Sequence, residues 1–572
     1  MPTLAVADRI ALETEPRSPL MPVLSFVERS HARACAALLA LALLCFLPGF
    51  VSLMPMDRDE PRFAQASKQM LESGDFIDIR VQDEARHKKP AGIHWMQSAV
   101  VAAAEAAGVP EARTTIALYR IPSLVGALGV VLLTYWAGLA FAGRREAFLA
   151  GAFMAASLVL MTEARLAKTD AMLTACSVAV MGGLARAYLA RGVGRLPGPA
   201  VAIFWAALAV GILVKGPLVL MFAGLCAVVL SVRERSPRWL LGLRPALGLV
   251  LTVAIVAPWF VAIAVKSGGA YYTAAVGDDL LGKVAAGQQN HWAPPGYYLG
   301  AFFATFWPSA ALAAMAAPFA WRQRHDDAFA FLLAWIVPSW LIFEAVSTKL
   351  PHYVLPLYPA IAIATAMAIR AGAVGPKSWG ARALALAIPF VPIGVALVLG
   401  YGAWKLDGVV PAAGLVLLAA AAAAGVVAWR LLTRDDALGA GMTGVAAAAL
   451  LSVGALGLVQ RELSSLRASP RLAALARSVG CAEPRLASLG YREMSLVFLT
   501  RTNLRLVEHP AEAADFIGAG GCRLVFVESR PEPAFLEELA RRGLAISPTA
   551  RVAGVNINGG RRIDVAAYVV KP

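Results

Sequence analysis

Between residues 31 and 459 the chain repeats one pattern, an apolar run close to the length of a membrane crossing followed by a short polar break. A helix of about 20 residues spans the hydrocarbon core of a bilayer. Inside lipid a chain must satisfy its own backbone hydrogen bonds, so such runs can only be helices. The first is HARACAALLALALLCFLPGFVSLM, and others lie near 117–142, 146–167, 171–190, 199–214, 217–232, 245–265, 297–318, 327–346, 353–371, 382–402, 409–430 and 438–459. They predict a polytopic α-helical membrane protein with about 13 transmembrane helices. The apolar share of 59% agrees, being above the roughly 45–50% of soluble domains.

The formal charge of +15 would point to nucleic acid in a soluble protein. Here the Lys and Arg residues cluster in the short breaks, the pattern left by retention of positive charge on the cytoplasmic side, so no nucleic-acid partner follows. Residues 1–33 lack an apolar core with a small-residue cleavage site and read as a cytoplasmic tail. Arg29 and Arg33 then direct the first helix outward.

The stretch AGIHWMQSAVVAAAEAAGV (91–109) is short and carries His94 and Glu105. If it crossed, Arg144, Arg145, Arg233, Arg235 and Arg238 would face outward. If it lies at the interface, they join Arg191, Arg195, Arg322, Arg324, Lys377, Arg382, Arg430 and Arg434 inside. The second reading makes 54–116 one outer segment with interfacial helices inside a membrane domain of 34–459. It also places Asp170, Lys215, the 266–296 loop, STKLPHY (347–353) and residues 460–572 outside.

After residue 460, amphipathic helices alternate with short strands such as RLVFVES (523–529) and IDVAAYVV (563–570), with a turn signal at NINGG (556–560). This predicts a small C-terminal α/β domain, periplasmic in the orientation above. Cys481 and Cys522 lie in this polar region, and the other four cysteines lie in apolar runs without metal-like spacing. An oxidising compartment favours a bridge between the two, but sequence supplies no Cα separation, and two free thiols are equally compatible.

The charged motifs have ordinary explanations one at a time. In DRDEPRF (57–63), Asp59 and Glu60 suit a solvated helix start, and Asp170 in ARLAKTDAML suits a cap. HKKPAGIHW (87–95) suits an interfacial anchor and LVKGPL (213–218) a snorkelling lysine. QQNHWAPPGYY (288–298) and TKLPHYVLPLYP (348–359) suit aromatic belts.

Their order is more specific: an acidic pair after the first helix, Lys-Lys-Pro, Arg-x-x-x-x-Asp, Lys-Gly-Pro, and Lys-Leu-Pro-x-Tyr. This succession resembles the membrane-embedded glycosyltransferases of the C superfamily (GT-C), in particular the aminoarabinose (lipid A) transferase and protein O-mannosyltransferase-like group. The resemblance covers most of 34–370. It implies an enzyme moving a sugar from a polyprenyl (undecaprenyl) phosphate to lipid A, another glycan or a protein, at the periplasmic face of the bacterial inner membrane.

By position, the resemblance makes Asp59 and Asp170 the catalytic acidic residues. It puts Lys89, Lys215, Lys349 and Tyr353 around the lipid phosphate or donor, with Glu60, Arg62, Lys88 and His291 as further substrate contacts. Cations at Lys89, Arg62 and Lys215 would stabilise the departing phosphate. Asp59 would take or orient an acceptor proton, or only position an acceptor that is already ionised. Direct displacement implies inversion at the sugar C1.

No cofactor is certain from the resemblance. Relatives can hold a divalent metal with a glutamate at the Lys88 position and an outer-loop histidine. His291 remains here, but a protonated Lys88 is no ligand, which argues against an ion. The same lysine, next to His87 and Lys89, should disfavour a cationic amino sugar and favour an acidic one such as a uronic acid, unless it only faces anionic lipid headgroups. The competing class is a lipid or solute transporter, which would commonly show related halves. No such repeat is visible, and the charge gathers at one face.

Overall fold

The computed structural model describes residues 21–56, 58–192, 196–275, 277, 292–481 and 483–571. Among the described residues nine helices are long and apolar enough to cross a bilayer, and two shorter ones are largely apolar. After α1 (Met21–Glu28), α2 (His31–Phe46) is one of the short pair. An outer segment follows, with α3 (Glu60–Ser73), the hairpin β1 (Arg80–Val81) and β2 (Glu84–Ala85), and α4 (Gly92–Ala106). The bundle resumes with α5 (Ile116–Gly138). A broken traverse of α6 (Arg144–Ala156) and α7 (Leu158–Glu163) then leads to α8 (Asp170–Leu189), α9 (Gly198–Lys215), α10 (Leu218–Arg233) and α11 (Pro245–Lys266). A second broken traverse, α12 (Tyr297–Thr305) and α13 (Ala310–Arg322), precedes α14 (Asp327–Ala345), α15 (Pro351–Arg370), α16 (Trp379–Asp407), α17 (Ala412–Thr433) and α18 (Ala437–Glu462).

With each broken pair counted as one traverse, the described residues contain thirteen, in agreement with the apolar runs. The ambiguous stretch 91–109 forms the 15-residue α4 and is not among the spanning helices. Ion pairs mark the bundle's two ends. Arg370 meets Glu146 at 3.0 Å, and Arg191 meets Glu234 at 3.2 Å and Asp327 at 2.7 Å, at the end holding the basic breaks. At the opposite end lie the outer segment, the start of α8, the ends of α9 and α14, and the link from α18 to the small domain.

Helix starts differ between these ends. Ser30, Asp326, Ser378 and Asp436 cap α2, α14, α16 and α18 with their side chains, all at the basic end. At the other end Asp59 precedes α3, and Thr169 and Asp170 open α8, with no side-chain cap bond. The capping explanations of Asp59 and Asp170 are therefore not realised.

The small domain contains α19 (Ala468–Ser478), β3 (Arg485–Leu489), α20 (Met494–Leu499), β4 (Arg505–Val507), α21 (Pro510–Gly518), β5 (Arg523–Glu528), α22 (Glu532–Arg541), β6 (Pro548–Asn556) and β7 (Arg561–Val570). Its sheet order is β4-β3-β5-β7-β6. Strands β4, β3 and β5 are parallel, and the β6–β7 hairpin joins antiparallel to β5. Helices cover both faces, so each face has its own apolar core, one around Leu524 and Phe526 and the other around Val525 and Val527. Cys481 and Cys522 form a disulfide, while Cys35, Cys45, Cys176 and Cys226 are free.

This domain docks on the outer segment. Gln65 Nε2 donates to Thr502 Oγ1 at 2.8 Å, and Gln82 Nε2 donates to the Thr502 and Leu504 carbonyls at 2.9 and 2.7 Å. Lys68 Nζ donates to the Phe498 carbonyl at 3.1 Å, and the buried Phe498 ring meets Tyr119 edge-on.

Candidate active site

Two sets of charged side chains gather at the end carrying the outer segment, and backbone contacts hold them beside each other. The first surrounds DRDEPRF. Asp59 is about half exposed and accepts from Arg86 at 3.5 Å. The Arg86 guanidinium lies 5.2 Å from the centre of the Phe63 ring, whose other neighbour is the stacked His94. Burial and the Arg86 charge pull the His94 pKa down to about 3, so the ring stays neutral near pH 7. It is fixed by Ser67, whose Oγ lies 2.8 Å from His94 Nδ1 and donates to Gln97 Oε1 at 2.6 Å.

Glu60 faces the other way. Arg120 donates to it from Nε at 2.7 Å and Nη2 at 3.0 Å, and the backbone amides of Met56 and Ala167 donate at 2.9 Å each. Arg120 also donates to the carbonyls of Phe50, Leu53 and Met54. Both charged groups are fully buried, so Glu60 binds α3 to the loops before it and before α8.

The second set lies where α7, α8, α9 and α15 meet. Asp170 is paired with Lys215 and lies 3.7 Å from His352 Nε2. His352 Nδ1 is 3.5 Å from Glu163, which Lys168 approaches at 3.3 Å. The Lys215 ammonium also sits 5.6 Å from the Tyr353 ring centre. Lys215 is thus buried against partners and does not snorkel. Glu163 Oε2 is buried and makes no hydrogen bond among the described residues.

Close backbone approach links the two sets. A Cβ on Gly92 would stand 2.6 Å from the Leu213 carbonyl oxygen, so only glycine lets the segment after Lys88 and Lys89 lie against the end of α9 that carries Lys215. The Glu60–Ala167 hydrogen bond brings the start of α3 to the loop before Asp170 in the same way.

The remaining expected residues divide. Arg62 and the exposed Lys88 line a cavity of about 1810 Å³ between the outer segment and the small domain, and Lys89 is half-buried beside it in sequence. Tyr353 is half-buried in the second set. Lys349 donates to the carbonyls of Phe343, Glu344 and Val346 at 3.3, 2.8 and 2.5 Å. These bonds close the end of α14. His291 lies outside the described residues; its neighbour Trp292 pairs with Thr348.

Sequence reasoning missed Arg86, Arg120, Glu163, Lys168 and His352. His352 stood inside the flagged TKLPHY segment, Lys168 inside the Arg-x-x-x-x-Asp motif, and Glu163 two residues before it. Nothing in the local sequence marks Arg120.

The residues present do not suit a cation at the Lys88 position, where an ammonium replaces a carboxylate and Arg62 and Arg86 line the same cavity. Glu163, Asp170 and His352 do offer ligand atoms within 4.8 Å of one another. Their carboxylates, however, are already paired with Lys168 and Lys215.

Residues 62–269 match the family model described as dolichyl-phosphate-mannose-protein mannosyltransferase. The chain is 28% identical over 352 residues to the undecaprenyl phosphate-alpha-4-amino-4-deoxy-L-arabinose arabinosyl transferase of Erwinia tasmaniensis, covering 61% of this chain and 62% of that protein. The protein of the same name from Aeromonas salmonicida is 27% identical over 320 residues, covering 54% and 56%. The matches therefore span less than two thirds of these curated relatives. Among solved structures, ArnT from Cupriavidus metallidurans bound to undecaprenyl phosphate superimposes with a TM-score of 0.69 at 21% identity, over 96% of this chain and 98% of that one.

The chain is a multi-pass membrane protein with the fold of the C-superfamily glycosyltransferases. Over somewhat more than half its length its sequence is similar to the aminoarabinose transferases.

Proposed function

We propose that this protein transfers a sugar from a polyprenyl phosphate, of the undecaprenyl type, to lipid A or another cell-envelope acceptor, with inversion at C1. The reaction would take place at the periplasmic face of the bacterial inner membrane. The observation that carries the reading is the meeting, at one end of the bundle, of a half-exposed carboxylate with a basic cavity and an Asp170–Lys215 pair packed beside Tyr353. The undecaprenyl phosphate donors for which the relatives are named supply the donor class.

In this reading residues 1–33 are cytoplasmic, 34–459 form the catalytic membrane domain, and 460–572 face the periplasm. The basic breaks at the other end support that orientation. The polyprenyl chain stays in the bilayer and only its head group reaches the site.

As the bond from C1 to the phosphate oxygen breaks, negative charge grows on the phosphate. Lys89 and Lys215 stabilise it, with Arg62 and Lys88 behind them. Asp170 holds the Lys215 ammonium in place, and Tyr353 lies along its other side. Asp59 is free of capping and half open to water, as a group that takes or orients an acceptor proton must be. If the acceptor is a phosphate it arrives ionised, and Asp59 positions it. Ion pairs gathered at the bundle's ends, with none among the described residues along a path between them, favour an enzyme over a transporter.

The test uses purified protein in vesicles with a radiolabelled polyprenyl-phosphate sugar. Label should move to lipid A with wild type and not with Asp59→Ala. Label that crosses the vesicle membrane still attached to its lipid, without transfer, would make the protein a transporter.

A further inference from the structure

Each of the three parallel strands of the small sheet begins with an arginine: Arg485 on β3, Arg505 on β4 and Arg523 on β5. Register puts them on one face, since Arg485 pairs with Arg523, and Arg505 pairs with Ala487, two residues along β3 from Arg485. Like charges side by side on a sheet cost stability. Yet none of the three forms an ion pair among the described residues, although Arg542 is paired with the neighbouring Asp515 at 2.8 Å.

Instead, two of them pack against one aromatic ring. The Arg523 guanidinium lies 4.9 Å from the Phe516 ring centre and that of Arg505 5.7 Å. Arg523 spends only Nε, on the Gly520 carbonyl at 2.7 Å. The disulfide fixes the loops that launch two of the strands, because Cys522 precedes Arg523 and its carbonyl accepts from the Arg485 amide at 3.0 Å. Partial burial together with the charges of Arg485 and Arg505 lowers the Arg523 pKa from its ordinary value, a cost that a bound anion would relieve.

All three arginines line the cavity that Arg62, Arg86 and Lys88 line from the outer segment, and basic groups outnumber acidic ones along its wall. Its volume of about 1810 Å³ exceeds the roughly 300–1,000 Å³ of a site for one small ligand. It suits an extended, anionic head group.

We infer that the arginine-lined edge of the small sheet is a phosphate-binding site that holds the head group of a phosphorylated glycolipid in the cavity leading to Arg86 and Asp59. That this glycolipid is the acceptor rests on the transferase reading above; the binding site itself does not. Guanidinium groups suit this ligand because each offers a planar pair of donors to phosphate oxygens.

The test measures binding to the full-length protein in nanodiscs, with lipid A, phosphatase-treated lipid A and inorganic phosphate as separate probes. The proteins are wild type, Arg505→Ala/Arg523→Ala and Arg523→Lys. The double variant should bind lipid A about tenfold more weakly or worse, with Arg523→Lys in between, and phosphatase-treated lipid A should bind weakly and alike to all three. Arginine-dependent competition by inorganic phosphate would assign the site to any phosphate group. Its absence would assign the site to the glycolipid head group. Equal affinity of wild type and double variant for lipid A, or no loss on phosphatase treatment, overturns the proposal. Wild type that binds through the arginines but transfers no sugar would leave the site standing and remove the transferase reading.

Discussion

Asp59 and Glu60 are adjacent in the chain, yet one is half open to water and the other is locked against Arg120. No sequence rule separates them, because the distinction depends on Arg120 arriving from 60 residues away. The order of the charged motifs was legible, while the capping carbonyls around Lys349 and the buried partners of Glu60 arise only from packing. Asp59→Asn should therefore abolish transfer in the vesicle assay and leave the yield of folded protein unchanged. Arg120→Met should do the reverse in kind, costing about 3–5 kcal/mol of stability by leaving a buried carboxylate unpaired, to be read as a loss of folded protein on size-exclusion chromatography. Lys88 sets a third expectation. Wild type should turn over a galacturonic acid donor faster than an aminoarabinose donor, and Lys88→Glu should reverse the order. Equal preference in both proteins would leave Lys88 with no part in donor choice.

The elements that carry the site are short, polar and amphipathic, and their periodicity was visible in α3 and α4, but how they dock was not. Lys68 shows why: on α3 it looks like a solvated helix residue, and it is buried by the carbonyls of Phe498 and Thr500 from the small domain. Burial pulls its pKa from 10.5 to about 8, against the opposing pull of Glu72. Between those values the unfolded chain holds the proton and the folded one does not, so stability should rise as pH goes from 8 to 10.5. Thermal unfolding across that range should show a rising midpoint in wild type and a flatter response in Lys68→Met. The disulfide is the other element-scale brace. It closes 41 residues, worth about 4 kcal/mol at most in the chain-entropy view. The cysteine pair was identifiable from its polar setting, whereas its bonding depended on β3 and β5 being parallel neighbours with a Cα separation of 6.4 Å.

At the scale of the whole molecule, the apolar runs and basic breaks specified the bundle, because membrane thickness and charge retention act on local sequence. The two broken traverses needed no separate signal, since each half remains apolar. A reporter that works only in the periplasm, fused after Pro572, should be active; a stable but inactive fusion would overturn the proposed orientation. Thirteen traverses is an odd number, so in the proposed orientation α1 and the small sheet lie on opposite sides of the membrane. In chain order the sheet comes after every traverse, and its cysteines can meet an oxidising environment only once the preceding helices have been threaded in the correct sense. If the proposed orientation holds, the Cys481–Cys522 bond is a chemical record of completed insertion: a chain stalled or inverted during biogenesis would keep both thiols reduced, and its arginine-bearing strands would never be set over the outer segment.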